Sequence, residues 1–105
     1  MKEITATELK AMRESGEDFQ LIDVREPFEF EICNLQGELI PMNEVPARVD
    51  EISHSKKVVI HCKSGARSRN IVQWLETNAG LQNLYNLQGG IFAWIDAVDP
   101  TMDKY

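Results

Sequence analysis

A cysteine that closes an apolar run and is followed at once by small and basic residues is placed to do chemistry. Residues 58–70 read VVIHCKSGARSRN. The stretch KVVIHC is β-branched and bounded by charge, as a buried strand would be. In SRNIVQWLETNAG, Ile71, Trp74, Leu75 and Ala79 recur at three and four, which is the period of a helix. Cys62 therefore stands between the carboxyl end of a strand and the start of a helix, where open α/β sheets bind their ligands. Lys63, Ser64, Gly65 and Ala66 include three small residues, so the backbone can curl with its amides turned inward. Inward amides and the positive end of a helix together make an anion site. A thiolate at its centre is itself the anion that gains, and the thiolate is the attacking form of cysteine. Cys62 is the candidate nucleophile, with Lys63, Arg67 and Arg69 adding positive charge around it.

The charge pattern sharpens this. The 105 residues carry a formal charge of -6, which argues against nucleic acid as a partner. Yet no Asp or Glu occurs from Ile52 through Leu75, a window that holds Lys56, Lys57, Lys63, Arg67 and Arg69. An acidic chain thus has one basic island, with Cys62 inside it. Cys33 and Cys62 lack CxxC spacing, and His54 and His61 do not combine with them at zinc-finger spacing, so no metal site and no cofactor are expected. No apolar run approaches the ~20 residues of a membrane span, and the N-terminal MKEITATELK has no signal-like apolar region. A cytoplasmic protein without membrane contact is the default expectation, with both cysteines reduced.

The elements that must position this loop follow from local pattern. TATELKAMRESG predicts a helix with Thr5 and Glu8 as a capping box and Gly16 as its stop. FQLIDV is of strand length, and Pro27 suits the first turn of a short helix through FEFEIC. GELIPM reads as extended, VPARVDEI as a helix with Val45, Val49 and Ile52 on one face, NLYNL as a last strand and IFAWIDAV as a last helix. Trp74 and Trp94 fall on apolar helix faces and are expected in the core. The acid-rich REPFEFE is expected to be a solvated face, and TMDKY a loose tail. Alternating strands and helices predict one α/β domain over residues 1–105, with a core of about 3–98 and a tail of 99–105. Its largely parallel sheet would hold about five short strands, with helices on both faces.

Loop length separates two chemistries. Cysteine-dependent phosphatases place five residues between Cys and Arg, to seat a phosphoryl group. Here four, KSGA, precede Arg67, and Ser68 stands where a phosphatase needs its Arg. A shorter loop suits a single sulfur atom held as a persulfide. At this point the chain resembles the rhodanese-like sulfurtransferases. The loop CKSGARS matches their active-site loop, LIDVREPFEFE is similar to their Asp-Val-Arg stretch, and LQGGIFAW to their Gly-Gly-x-x-x-Trp pattern, in the same order. The chain departs where CNLQG replaces the family's usual Gly-His-Ile-x-Gly, with Cys33 and Asn34 in place of the glycine and histidine. WIDAVDPTMDKY resembles rhodanese domains fused to enzymes that adenylylate ubiquitin-like sulfur carriers.

The resemblance implies Cys62 as persulfide carrier and the amides of Lys63, Ser64, Gly65, Ala66, Arg67 and Ser68 as the cradle for the outer sulfur. It implies Asp23 and Arg25 as supports of the loop. Arg67 either binds the donor or pairs with a carboxylate. His61, next to the nucleophile on a strand, should face away from it as a satisfied structural histidine. Cys33 is read as packing. The implied partners are a small anionic sulfur donor and a thiol or protein acceptor, a ubiquitin-like sulfur carrier among them. A binding or redox-sensing module without turnover is the alternative.

Overall fold

Strands that bury both faces must be apolar at successive positions, and Leu21–Ile22 and Val58–Ile60 meet that condition. A computed structural model describes residues 1–105. β1 (Glu3–Ile4), β2 (Phe19–Asp23), β3 (Glu38–Leu39), β4 (Lys57–His61) and β5 (Leu84–Leu87) form one sheet in the order β1-β5-β4-β2-β3. Every pairing is parallel. β4 sits in the middle, in register with β2 from Phe19↔Lys57 to Asp23↔His61, so the ends of both strands reach the same rim. β1 is the strand the sequence pattern does not announce. Two residues are too few for any period, and they join the sheet by pairing with Asn86 and Leu87.

Four helices cover the faces: α1 (Ala6–Glu14), α2 (Pro27–Ile32), α3 (Ala66–Asn78) and α4 (Gly90–Ala97). Alternate strand residues go to opposite sides. Ile22, Val58 and Ile60 pack with Val45, Ile71, Val72 and Leu75 on one side, while Leu21, Val59 and Leu87 meet Leu9, Met12, Ile91 and Trp94 on the other. The capping box of α1 forms as expected: Glu8 N donates to Thr5 Oγ1 at 3.1 Å and Thr5 N to Glu8 Oε1 at 2.9 Å. Pro27 opens α2, after a second box built by Glu26 and Glu29. No helix is long and apolar enough to cross a membrane.

Three expectations need correction. VPARVDEI is not an α-helix but part of a 3₁₀ run, Met42–Glu51, with Arg48 non-helical inside it. Pro46 removes a donor there, yet Val45 and Ile52 still reach the core. Trp94 is buried, but Trp74 is 37% exposed, because α3 meets the sheet through Ile71, Val72 and Leu75 and turns Trp74 outward. The tail is not loose: Met102 and Tyr105 pack against the core that holds Trp94.

Candidate active site

β4 delivers Cys62 to the sheet's carboxyl rim, and the chain turns within three residues into α3. Gly65 makes that turn possible at φ 106°, a region open to glycine and closed to most side chains. Its amide donates to Cys62 Sγ at 3.1 Å, and the Ser68 hydroxyl lies 3.4 Å from the same sulfur. The thiol thus faces the first turn of a 13-residue helix, where peptide dipoles favour negative charge. Cys62 is 1% exposed, so the sulfur points into the loop rather than out to solvent.

A second helix start braces the loop from behind. Ile91 N donates to Cys62 O at 2.9 Å and Phe92 N to Lys63 O at 3.1 Å. This close approach is why QGG is needed: a Cβ on Gly90 would lie 2.5 Å from Lys63 O and 2.6 Å from Cys62 O. Ser68 is buried and also contacts Asn86 Oδ1 at 2.5 Å, while Ser64 and Ala66 face solvent.

Arg67 points its fork at a carboxylate. Nη1 donates to Glu29 Oε1 at 2.8 Å and Nη2 to Glu29 Oε2 at 2.9 Å, a bidentate pair that ties α3 to α2. Glu29 is 3% exposed, which corrects the reading of REPFEFE as a wholly solvated face. The Arg67 hydrogen bonds hold its carboxyl down to about 2. Glu29 is the site-flanking residue the sequence pattern missed; its one local signal was its place three residues after Glu26, in the α2 cap.

The basic island also dissolves on folding. Lys57 opens β4 and Lys56 precedes it, about 17–20 Å from Cys62 along an extended strand, and they pair with Glu17 and Asp18 at 3.3 and 3.2 Å. Arg69 lies 3.5 Å from Glu3. Lys63 lays its ammonium over the Tyr105 ring at 4.1 Å, and Tyr105 meets Phe28 edge-on at 5.8 Å.

Asp23 and Arg25 are fully buried and bound to each other, with Arg25 Nη2 and Asp23 Oδ2 at 2.8 Å. The bonds that leave the pair go from Arg25 Nη2 to Cys33 O and from Nη1 to Tyr105 O, each at 2.7 Å. The pair therefore anchors the end of α2 and the tail, and its link to the loop runs through His61. That ring is fully buried, with Nδ1 3.3 Å from Cys62 O and Nε2 3.7 Å from Asp23 Oδ2. It faces the backbone of Cys62, not the thiol, so no Cys–His dyad exists. Nor is it fully satisfied as expected, since Nε2 has no hydrogen-bond partner. Burial lowers its pKa, against the opposing pull of Asp23. Cys33 is buried, with Sγ 3.8 Å from Arg25 Nη1.

Comparison with known proteins agrees with this geometry. The chain is 37% identical over 95 residues to a sulfurtransferase of Allochromatium vinosum, covering 90% of this chain and 88% of that one. It is 34% identical over 105 residues to the probable adenylyltransferase/sulfurtransferase MoeZ of Mycobacterium tuberculosis, covering 97% of this chain but only 26% of that longer protein. The crystal structure of a rhodanese-like domain protein from Staphylococcus aureus superimposes with a TM-score of 0.83 at 30% identity, over 100% of this chain and 99% of that one. The Rhodanese-like domain family matches residues 5–97, which take in the Asp23–Arg25 strand end, the Cys62 loop and the glycine pair behind it. A cysteine loop clamped between two helix starts on an all-parallel sheet, together with that match, makes the chain a member of the rhodanese-like domain family.

Proposed function

We propose that the chain is a sulfurtransferase in which Cys62 carries a sulfane sulfur as a persulfide. The Cys62 thiolate attacks the outer sulfur of a small anionic donor, thiosulfate in the simplest case. An S–S bond forms to Cys62, the donor's own S–S bond breaks, and sulfite leaves with the electron pair. An acceptor nucleophile then attacks the outer sulfur and returns the thiolate: a thiol, cyanide in an assay, or a protein acceptor such as a ubiquitin-like sulfur carrier. No oxidant or reductant is consumed, and double displacement predicts ping-pong kinetics. The amides of residues 63–68 would surround the outer sulfur, and Lys63 would attract the donor while Arg67 holds the loop through Glu29.

One observation carries this reading: Cys62 Sγ, at the first turn of α3, accepts the Gly65 amide at 3.1 Å inside a loop only four residues long before Arg67. The sulfurtransferase names of similar proteins support it, and MoeZ joins an adenylyltransferase to a sulfurtransferase in its name. The test is intact-mass measurement after incubation with thiosulfate. A gain of about 32 Da on Cys62, lost on adding cyanide, is expected. Sulfur transfer that persists in Cys62→Ala would remove the assignment; absence of any adduct with thiosulfate and other persulfide donors would favour a binding module.

A further inference from the structure

We propose that Glu3 and Asn86, neither of which is hydrogen-bonded to Cys62, fix the direction in which the Ser68 hydroxyl points its proton, and so restrain ionisation of the thiol. The inference rests on Cys62 being the reactive thiol.

Ser68 Oγ has one hydrogen and three acceptors within reach: Asn86 Oδ1 at 2.5 Å, Gly65 O at 3.2 Å and Cys62 Sγ at 3.4 Å. Gly65 O already receives the Arg69 amide at 3.0 Å. The shortest contact takes the proton, which places it between Ser68 and Asn86. The lone pairs of Oγ then face Sγ, where they accept from S–H and repel a thiolate.

The orientation of Asn86 decides this. Its amide can exchange oxygen and nitrogen by a half turn without changing shape, so a neighbour must choose. Glu3 does, because a carboxylate can only accept: Asn86 Nδ2 donates to Glu3 Oε2 at 3.1 Å, which leaves Oδ1 facing Ser68. Glu3 and Asn86 are register partners across β1 and β5, and Arg69 Nη2 stands 3.5 Å from the same Glu3 oxygen. Asn86 and Ser68 are both fully buried, so no solvent competes between them, while the Glu3 end of the line is partly exposed. The other charged and titratable groups around the loop are the Asp23–Arg25 pair on β2, His61 on β4, Glu29 on α2 with Arg67 on α3, and Lys63. None of them bonds Ser68. Were Ser68 to turn round, its O–H would join the Gly65 amide in a charge-assisted bond to the thiolate.

The experiment is the rate of Cys62 alkylation by iodoacetamide as a function of pH, read by mass spectrometry of the Cys62 peptide. It requires no sulfur transfer. In Glu3→Gln the new amide no longer dictates the Asn86 orientation, and in Asn86→Ala the acceptor is gone. Both profiles should move to lower pH, with the rate at pH 6.5 rising about three- to tenfold. In a Ser68→Ala background the Glu3→Gln effect should vanish. An equal effect with and without the Ser68 hydroxyl would show that only the charge of Glu3 matters and would overturn the proposal, as would unchanged profiles in Glu3→Gln. A wild-type Cys62 that resists alkylation at every pH would instead overturn its role as the reactive thiol.

Discussion

Arg67 sits in the loop of the candidate nucleophile Cys62 and could serve a donor anion, but both terminal nitrogens of its guanidinium are engaged by Glu29. That engagement has a pH signature. The folded-state carboxyl of Glu29 titrates at about 2, below the 4.5 of the unfolded chain, so its stabilisation is complete above 4.5 and is lost as pH falls through 2. Glu29→Gln should cost about 2–3 kcal/mol at pH 7 by urea unfolding. The gap to wild type should close between pH 4.5 and 2. His61 acts in a higher window. Burial disfavours its charged form, so the unfolded chain binds the extra proton, and stability declines as pH drops below 6.5. In His61→Asn that part of the decline should disappear from the stability–pH curve, while the part below pH 4.5 remains.

Two positive-φ glycines, one after the end of α1 and one at the start of α4, are needed for different reasons. Gly16 and Gly90 both have positive φ, 72° and 62°, yet a Cβ at Gly16 meets nothing within 4 Å. At Gly90 it would strike the carbonyls of Lys63 and Cys62, which α4 must approach to donate its first amides. Gly16→Ala should therefore cost only the left-handed backbone term, about 1–2 kcal/mol. Gly90→Ala should cost roughly 3 kcal/mol or more in urea unfolding, because overpacking adds to the same strain. It should also change the rate of Cys62 alkylation, which Gly16→Ala should leave alone. A 3₁₀ run where an α-helix was expected shows the same local logic: Val45 and Ile52 still reach the core, but Pro46 interrupts the donors an α-helix needs.

Across the whole molecule, the tail from 99 to 105 closes the rim by giving the Tyr105 carbonyl to Arg25 and its ring to Lys63 and Phe28. Tyr105→Ala should lower stability by about 1–2 kcal/mol and speed amide hydrogen exchange in residues 99–105, leaving β4 protection unchanged in rank. Much of the architecture was legible in order along the chain. Apolar runs such as VVI, the Thr5–Glu8 box, Pro27 and the glycines act on neighbours a few residues away, so the order of the elements other than β1, and the four-residue loop after Cys62, follow from local chemistry. What was not legible is who faces whom. The basic island around Cys62 was real in sequence, but folding matched Lys56, Lys57, Arg67 and Arg69 to acids from other segments. Glu29 meets Arg67 across 38 residues, Arg25 meets Tyr105 across 80 and Asn86 meets Glu3 across 83. A parallel sheet brings all its strand ends to one rim, and only there do distant residues come within hydrogen-bond reach. The thiol and its loop were determined by the sequence alone; the carboxylates, the tail and the hydroxyl that surround them were decided by that convergence.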